Sequence, residues 1–300
     1  MLRSISEAEV ARVLSYAKLI PAMERALIAF SAGKSVQPVR TILTVEEGQR
    51  FLGVMPAVTP EGMGAKLVCF YPKNAASALP THLASIMLFE TETGLPLAVL
   101  DGRLITEMRT AAVSAAVTRH LAPADTSVLA LLGSGVQAQA HLEALRQVCR
   151  FEEVRIWSRT SEHAQRFAAR HGARAMELED AVRGADVIVT ATSAREPVLR
   201  GEWLKAGAHV NAVGACLPTW RELDDAAVTA NTLIVDSREA ALQESGDVIL
   251  SRARIFAEAG EIFAGTRHAA RESTTVFKSL GLAVEDIAAA RLVYDAVTAA

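Results

Sequence analysis

Residues 128–138 read VLALLGSGVQA, and this stretch decides the fold. Val128–Leu132 is an unbroken apolar run, which is typical of a strand covered on both faces. Gly133, Gly135 and Ala138 follow as GxGxxA, after the predicted strand and at the start of a predicted helix. Here the first glycine permits a tight turn, the second lets the backbone approach a pyrophosphate, and the helix N-terminus stabilises the phosphate charge. The pattern predicts a dinucleotide-binding loop in preference to a plain tight turn.

After Pro123, strand and helix patterns alternate along the chain. The sequence predicts helices at 135–149, Ser161–His171 (with Ser161 as its cap) and 177–183, and further strands at 154–157, 186–190, 209–213 and 233–235. Such alternation favours right-handed βαβ crossovers and a Rossmann-type, doubly wound parallel sheet.

The second strand of this sheet indicates which dinucleotide binds. An NAD site expects an acidic residue near its end, where a carboxylate accepts hydrogen bonds from the ribose. Here the strand is followed by Ser158, Arg159 and Thr160, with no carboxylate. A guanidinium beside two hydroxyls suits a 2′-phosphate, so NADP(H) is the preferred cofactor and NAD(H) the alternative. In the simpler interpretation, Ser158 only turns the chain and Arg159 is solvated.

The first 120 residues do not show this alternation of strands and helices. A capping box of Ser6 and Glu9 predicts a first helix, and Pro21 predicts the first turn of a second helix over 22–30. Short strands separated by Gly, Pro and Asn predict an antiparallel or mixed sheet, and an apolar stripe on the last helix predicts that it docks on another element. The predicted strands span 41–45, 51–54, 66–71, 84–89 and 97–100, with Gly62-Met63-Gly64 as a separator, and the helices that follow span 106–120 and 284–297.

Composition excludes several classes of function. The 300 residues contain 31 Lys+Arg against 34 Asp+Glu, and this net charge of -3 lacks the basic excess of a nucleic-acid-binding protein. No apolar run is long enough to cross a bilayer, and the first residues do not resemble a signal peptide. Three dispersed cysteines argue against a disulfide framework or a zinc site, and no histidine pair has metal-ligand spacing. We expect a cytoplasmic protein that handles a small molecule and binds no metal, membrane or nucleic acid.

Several segments together resemble the ornithine cyclodeaminase/mu-crystallin family, and the resemblance extends over nearly the whole chain. They are GSGVQAQAH at 133–141, TEMRTAAVSA at 106–115, GAHVNAVG at 207–214 and TVFKSLG at 275–281. Within the family, WRELDD at 220–225, DSREAALQESGD at 236–247 and FKSLGLAVED at 277–286 look like the mu-crystallin branch.

The resemblance implies an α/β fold in which the Rossmann-type domain is inserted in a discontinuous α+β substrate and dimerisation domain. Residues 121–277 would form the dinucleotide-binding domain, and residues 1–120 with 278–300 the other. It further implies a homodimer formed through the substrate-domain sheets.

Site residues are also implied by the resemblance. Arg40, Lys66 and Arg109 match the basic residues that bind substrate, and His82 is a candidate acid. An arginine fork can grip a carboxylate, and a lysine at the edge of an apolar pocket can shuttle a proton. Taken singly, each cation is more often a surface charge, although Lys66 begins an apolar run that should be buried. The residues expected to contact the cofactor are Thr81, Arg109, Gly133, Gly135, Val136, Gln137, Ala138, Ser158, Arg159, Thr160, Thr192, Val213, Ser279 and Gly281.

Two departures from the family pattern bear on the substrate. Cys216 stands where ornithine cyclodeaminases carry an aspartate, and a second family acid is replaced around Gly53. A cationic side chain buried without a partner is costly, so losing both acids argues against ornithine. We expect a cleft with three cations and few acids, in which Cys216 contacts the substrate. Glu222, Asp224 and Asp225 are interpreted as the acidic N-terminus of a helix.

These observations predict an NADPH-dependent reductase of cyclic ketimines, converting 1-pyrroline-2-carboxylate or 1-piperideine-2-carboxylate to proline or pipecolate. The alternatives are an NAD-dependent ornithine cyclodeaminase that releases ammonia, an alanine-type amino-acid dehydrogenase, and a non-catalytic binding protein of the mu-crystallin type.

Overall fold

The computed structural model describes residues 2–270 and 272–299. The chain divides into two compact units, the first formed by Met1–Arg109 with Leu282–Ala300 and the second by Thr110–Gly281. The first unit is therefore discontinuous in sequence. Both domain limits expected from the sequence, 120/121 and 277/278, fall within the second unit, so the contacts divide the chain at different residues.

The elements are numbered in chain order. The strands are β1 (Arg3–Ile5), β2 (Thr41–Glu46), β3 (Arg50–Thr59), β4 (Gly62–Phe70), β5 (His82–Phe89), β6 (Pro96–Asp101), β7 (Val128–Leu132), β8 (Glu153–Trp157), β9 (Arg174–Ala175), β10 (Val187–Thr190), β11 (His209–Ala212), β12 (Thr232–Val235), β13 (Ile255–Glu258) and β14 (Thr275–Lys278). The α-helices are α1 (Glu7–Val13), α2 (Tyr16–Ser31), α3 (Arg103–Leu121), α4 (Val136–Leu145), α5 (Ser161–His171), α6 (Leu178–Val182), α7 (Asp225–Thr229), α8 (Arg238–Glu244), α9 (Gly246–Ser251), α10 (Ala259–Phe263) and α11 (Ala283–Thr298).

The first unit contains a six-stranded mixed sheet in the order β1-β6-β5-β4-β3-β2. The neighbours from β6 to β2 pair antiparallel, whereas β1 pairs parallel with β6. Helix α11 packs on α2 and on strands β3, β4 and β5. Its apolar residues Val284, Ile287 and Ala288 are buried, so the docking predicted for the last helix is confirmed.

The second unit contains an eight-stranded parallel sheet in the order β13-β12-β14-β11-β10-β7-β8-β9. Strand β7 is flanked by β8 on one side and β10 on the other, so the direction of winding reverses there. In open parallel sheets, ligands bind outside the carboxyl ends of the strands at this reversal. The glycine loop directly follows β7, and the predicted Rossmann-type architecture is confirmed.

Two predictions in the first unit were wrong. Helix α2 begins at Tyr16, which places Pro21 inside the helix and not in its first turn. Burial of Leu19, Met23 and Leu27 offsets the backbone hydrogen bond that the proline cannot donate. The predicted separator Gly62-Met63-Gly64 is the beginning of β4, because these glycines lie under a packed helix and not in a turn. The capping box of Ser6 and Glu9 is present as predicted.

In the second unit, strand cores were predicted well but short elements were missed. Helix α4 ends at Leu145 and not at residue 149, and the N-cap of α5 is Thr160 and not Ser161. Gly172 ends α5 with φ +67°, a conformation that favours glycine. The missed strands β9, β13 and β14 of this unit, and β1 of the first unit, have two to four residues, too few to display a period. Within the described ranges, no helix combines the length and apolar character that a membrane span requires.

Candidate active site

Lys66 lies in the middle of β4 on a buried face of the mixed sheet. It pairs with Met55 of β3 and Ile86 of β5, and both of these neighbours are buried. Because side chains alternate across a strand, Gly62, Gly64 and Lys66 lie on one face. Only 1% of Lys66 is exposed. The sequence placed this lysine at the start of an apolar strand, and the expectation that it is buried is correct.

A glycine at position 64 allows α11 to lie close to this face. A Cβ atom at Gly64 would be 2.1 Å from the Met87 carbonyl oxygen and 2.8 Å from Cδ1 of Ile287. A Cβ atom at Gly62 would be 3.6 Å from Cγ2 of Ile287, an ordinary contact. Neither position has a side chain that would hold the helix away. The residue before Ile287, Asp286, consequently reaches Lys66.

Four charged side chains form a buried ion-pair cluster, defined as Lys66, Arg109, Glu285 and Asp286. Nζ of Lys66 lies 2.6 Å from Oδ2 of Asp286. Arg109 donates from Nη1 to Oε2 of Glu285 at 2.6 Å and from Nε to Oδ1 of Asp286 at 2.9 Å. The two cations and two carboxylates balance in formal charge. Glu285 and Asp286 correct the expectation of a cleft with few acids, because α11 supplies two carboxylates to this site.

The position of Lys66 lowers the pKa of its ammonium group to about 8. Burial is the largest cause, because desolvation disfavours the charged form. Asp286 acts in the opposite direction, and the positive charges of Arg109 and Arg40 lower the pKa further. Arg40 directly precedes β2 and is half-buried. Its charge acts on Lys66, so the structure brings together the three basic residues predicted from the sequence.

Thr81 and His82 lie at the start of β5. His82 stacks on Phe70 with ring centroids 4.5 Å apart, and its Nδ1 lies 3.2 Å from Oγ1 of Thr81. Partial desolvation, and then the charge of Lys66, lower the pKa of His82. More than a third of the residue is exposed, so solvent moderates this shift. The imidazole is therefore mainly neutral at neutral pH and serves as a hydrogen-bonding group.

The glycine loop of the second unit has the geometry that a dinucleotide needs. Gly133 has φ +112°, and a Cβ atom there would lie 2.3 Å from the Ala191 carbonyl oxygen. A Cβ atom at Gly135 would meet nothing within 4 Å, so open space lies beside the N-terminus of α4. Ala138 lies on the buried face of this helix, whereas Val136 is exposed, and Oε1 of Gln137 is buried without a hydrogen-bond partner. These residues fit a pyrophosphate held by backbone amides.

The end of β8 carries polar groups and no carboxylate. Oγ of Ser134, in the glycine loop, donates to Oγ of Ser158 at 3.0 Å, which connects the loop to the end of this strand. Arg159 and Thr160 are exposed. A hydroxyl and a guanidinium at this position can donate to a 2′-phosphate.

The turn after β11 contains Cys216. Ala215 has φ +55°, a left-handed conformation that is uncommon for alanine. The fully buried Lys278 donates from Nζ to the Gly214 carbonyl and lies 3.1 Å from Oδ2 of Asp247. Burial disfavours the charged form of Lys278, but the charge of Asp247, followed by smaller contributions from Cys216 and Glu222, raises the pKa of this lysine. The turn is thus held by an ion pair that the sequence did not predict.

Glu222 is fully buried, and its assignment to a helix N-terminus was wrong. Asp224 is the cap of α7 and accepts from the Ala227 amide, and Asp225 lies in the first turn, as predicted. Glu222 instead accepts from the Thr190 hydroxyl and from the amide and hydroxyl of Thr192, each at 2.7 Å. Its backbone lies beside residues 198 and 199, which directs the side chain toward the end of β10.

The segment that leaves β14 is ordered by another carboxylate. Oδ2 of Asp236 accepts from the amides of Leu280 and Gly281 at 2.6 and 2.7 Å. Ser279 is 2% exposed, and its Oγ has no hydrogen-bond partner. A buried hydroxyl without a partner is available to a ligand. The predicted contact Val213 also lies at the carboxyl edge of this sheet, directly after β11.

One sequence-family model, described as the ornithine cyclodeaminase/mu-crystallin family, matches residues 1–300. The chain belongs to this family.

Known members of the ornithine cyclodeaminase/mu-crystallin family are similar to this chain in sequence and in fold. Ketimine reductase mu-crystallin of Rattus norvegicus is 53% identical over 285 residues, covering 92% of this chain and 91% of that protein. The structure of Thermococcus litoralis Delta(1)-pyrroline-2-carboxylate reductase in complex with NADH and L-proline has a TM-score of 0.94 and 35% identity, covering 100% of this chain and 98% of that one. An archaeal alanine dehydrogenase dimer with bound NAD has a TM-score of 0.93 and 32% identity, covering 99% and 96%.

Four acidic residues of this family member were missed as site groups: Glu222, Asp236, Glu285 and Asp286. All four lie in segments quoted for the resemblance, but their spacing does not reveal which groups each carboxylate contacts. The acidic pair between Val284 and Ile287, two apolar residues of α11, was an available signal. Gly53, around which the sequence placed the second replaced family acid, lies in β3, where a Cβ atom would be 3.0 Å from Cγ1 of Val68.

Among the described residues, no group of three or more His, Cys, Asp or Glu side chains could hold a metal ion.

Proposed function

We propose that this protein is an NADPH-dependent reductase of cyclic ketimines, with 1-pyrroline-2-carboxylate or 1-piperideine-2-carboxylate as substrate and proline or pipecolate as product. The observation that carries the proposal is the buried Lys66, whose pKa is lowered to about 8 next to Arg40, Arg109 and Asp286. A lysine with that pKa can hold or release a proton at neutral pH. The similarity to a ketimine reductase over 92% of the chain supports the same activity.

The proton that the reaction requires gives Lys66 a role. Reduction of a cyclic imine adds a hydride to carbon and requires one proton on nitrogen, because hydride adds readily to an iminium and poorly to a neutral imine. A nicotinamide dinucleotide held by the glycine loop would supply the hydride. Lys66 keeps the imine nitrogen protonated, and Asp286 holds the ammonium in place. His82 orients the substrate as a neutral hydrogen-bonding group.

The substrate carboxylate is held by the arginines. Two donors of Arg109 already bind Glu285 and Asp286, which fixes its guanidinium. Arg40 is half-buried and supplies the main fork to the carboxylate, with Arg109 as the second contact. Cys216 contacts the substrate from the turn after β11.

The glycine loop holds the cofactor through Gly133, Gly135 and the amides at the start of α4. Ser158, Arg159 and Thr160 bind the 2′-phosphate, which sets the preference for NADPH over NADH. The other contacts are Thr81, Arg109, Val136, Gln137, Ala138, Thr192, Val213, Ser279 and Gly281.

One assay separates this function from the alternatives. The purified protein receives NADPH with each cyclic imine, NAD with L-alanine, and NAD with L-ornithine, while cofactor absorbance and ammonia are followed. We expect NADPH oxidation with an imine. Ammonia from ornithine without net change of cofactor would instead identify a cyclodeaminase, and NADH formation from alanine a dehydrogenase. NADPH binding without turnover of any substrate would identify a binding protein.

Cofactor preference is tested with Arg159→Asp. The variant should lose affinity for NADPH by about tenfold and keep its affinity for NADH, since one phosphate contact is worth that much. Arg150→Asp makes the same charge change at another exposed position and should leave both affinities unchanged. An unchanged NADPH preference in Arg159→Asp contradicts the cofactor assignment.

The protein is a cytoplasmic homodimer in this proposal. The face of the mixed sheet opposite Lys66 carries large apolar side chains that are exposed, including Leu67 at 48% and Leu83 at 41%. A second copy of the chain covers this face. Leu67→Glu should shift the mass measured by light scattering from dimer to monomer, whereas Leu242→Glu, at an exposed leucine of α8, should not. A dimer that survives Leu67→Glu contradicts this interface.

A further inference from the structure

Glu222 connects the ends of two neighbouring strands of the parallel sheet. It accepts three hydrogen bonds from Thr190 and Thr192, which end and follow β10. It also lies against Gly214, after β11, where a Cβ atom would be 2.5 Å from Oε1 of Glu222 and 2.3 Å from the Thr192 carbonyl oxygen. The close approach of these three residues requires glycine at 214.

The segment that Glu222 holds forms one wall of the glycine loop. A Cβ atom at Gly133 would lie 2.3 Å from the Ala191 carbonyl oxygen and 3.4 Å from Cγ2 of Thr192. Ala191 also donates from its amide to the Leu132 carbonyl at 2.8 Å, one residue before the loop. A displacement of residues 190–192 is therefore transmitted directly to the turn at Gly133.

The backbone at Glu222 is fixed by a second buried carboxylate, that of Asp247. Oδ1 of Asp247 accepts from the backbone amides of Glu222 and Leu223 at 2.8 and 2.9 Å. Lys278 pairs with Asp247 and donates to the carbonyl of Gly214. All three charged side chains are buried, so the arrangement has few alternative conformations.

We propose that Glu222 is a positioning residue for the dinucleotide, acting through residues 190–192 on the glycine loop and on the turn at Gly214. This inference rests on the proposed function, since it concerns the cofactor of that reaction. Glu222 contributes through the shape of the backbone surface and needs no contact with the cofactor. Removal of the Glu222 side chain should consequently weaken cofactor binding. It should have a smaller effect on the rate of imine reduction once cofactor and imine are bound.

Two variants of Glu222 test the proposal. Glu222→Ala removes three hydrogen bonds and should raise the Kd for NADPH, measured by fluorescence titration of the purified protein, by at least about tenfold. Glu222→Gln keeps an acceptor for the Thr192 amide and should raise it by only about threefold. In assays with imine, the KM for NADPH should rise in parallel, with a smaller change in kcat.

Asp186→Asn is the matched control. Asp186 is 5% exposed and accepts from the amides of Ser127 and Val128, but it directly precedes β10 and so lies at the amino edge of the same sheet. This variant should lower the unfolding temperature and leave the Kd for NADPH within twofold of the wild type. A control that weakens NADPH binding as much as Glu222→Ala does would reduce Glu222 to a general structural role and overturn the proposal.

The remaining outcomes separate this proposal from the proposed function. Wild-type protein that binds NADPH but reduces no imine contradicts the reductase assignment and leaves the role of Glu222 measurable by titration. A folded Glu222→Ala with wild-type Kd overturns the role of Glu222 and leaves the reductase assignment intact. Where Glu222→Ala does not fold, Glu222→Gln decides, and a Kd equal to that of the wild type overturns the proposal.

Discussion

Nζ of Lys66 lies 2.6 Å from Oδ2 of Asp286, and both side chains are almost wholly buried. Burial and ion pairing have opposite effects on such a lysine, because desolvation lowers its pKa and the carboxylate raises it. Here burial is the larger effect, and the pKa falls from 10.5 to about 8. The pair thus places the titration of a buried ammonium close to physiological pH.

The rate of imine reduction should fall as the pH rises through about 8. Below that pH Lys66 carries the proton that keeps the imine nitrogen charged, and above it the ammonium is lost. The measurement is kcat/KM for the imine at saturating NADPH between pH 6 and 10, a range of about two pH units on either side of the titration, because kcat/KM reports the groups of the protein before the imine binds. A rate that stays constant across this range contradicts the role given to Lys66.

Asp286→Asn should move this alkaline limb to lower pH. The carboxylate raises the pKa of Lys66, and an amide of the same shape removes that effect while burial and the positive charges of Arg109 and Arg40 persist. Glu285→Gln is the control, since Glu285 binds Arg109 and not Lys66. Its pH profile should keep the position of the wild-type limb. Equal shifts in the two variants would mean that the cluster responds as a whole.

The free energy of unfolding should also depend on the titration of Lys66, but it should rise with pH where the rate of reduction falls. Between pH 8 and 10.5 the unfolded chain binds the Lys66 proton and the folded protein does not. The contribution of Lys66 to the free energy of unfolding therefore rises with pH over that window. Urea unfolding of the wild type and of Lys66→Met at pH 8 and pH 10 measures this contribution as a difference. A wild type that loses more stability than Lys66→Met over this interval contradicts the lowered pKa.

Gly64→Ala should destabilise the first unit by about 3 kcal/mol, at the upper end of the cost of overpacking. The added Cβ would meet the Met87 carbonyl oxygen at 2.1 Å, a contact that only backbone movement can relieve. Gly62→Ala, two residues earlier on the same strand, adds a methyl group at 3.6 Å from Ile287 and should change stability by less than about 1 kcal/mol. Urea unfolding compares the two variants. Equal effects would contradict the close packing of α11 at Gly64.

The dinucleotide loop was predictable because its signal is local. Strand, turn and helix are contiguous in 128–145, so the order of residue types carries the structure. The ion-pair cluster was not predictable in this way. Asp286 and Lys66 meet because Gly64 of β4 lets α11 approach closely, whereas the natural interpretation of Gly62 and Gly64 was a separator between strands. No period or spacing in a single sequence reports the approach of two distant elements.

The same limit explains the errors at Glu222 and Pro21. An acidic run before a short helix predicts charges at its N-terminus, and Asp224 and Asp225 behave so, but Glu222 turns to the end of β10. A proline predicts a helix start, yet the apolar face of α2 continues on both sides of Pro21. In both cases a tertiary contact outweighs a local preference.

The left-handed conformation of Ala215 predicts an asymmetric response to substitution. Ala215→Gly relieves a strain of about 1–2 kcal/mol, but it loses the burial of one methyl group, about 0.8 kcal/mol, and adds backbone entropy to the unfolded chain. These effects nearly cancel, so the free energy of unfolding should change by less than about 1 kcal/mol. Ala215→Val should cost about 2 kcal/mol or more, because a β-branched residue is a strong outlier at φ +55°. Thermal unfolding of both variants tests this order, and a valine variant as stable as the wild type would show that the turn before Cys216 has no left-handed residue.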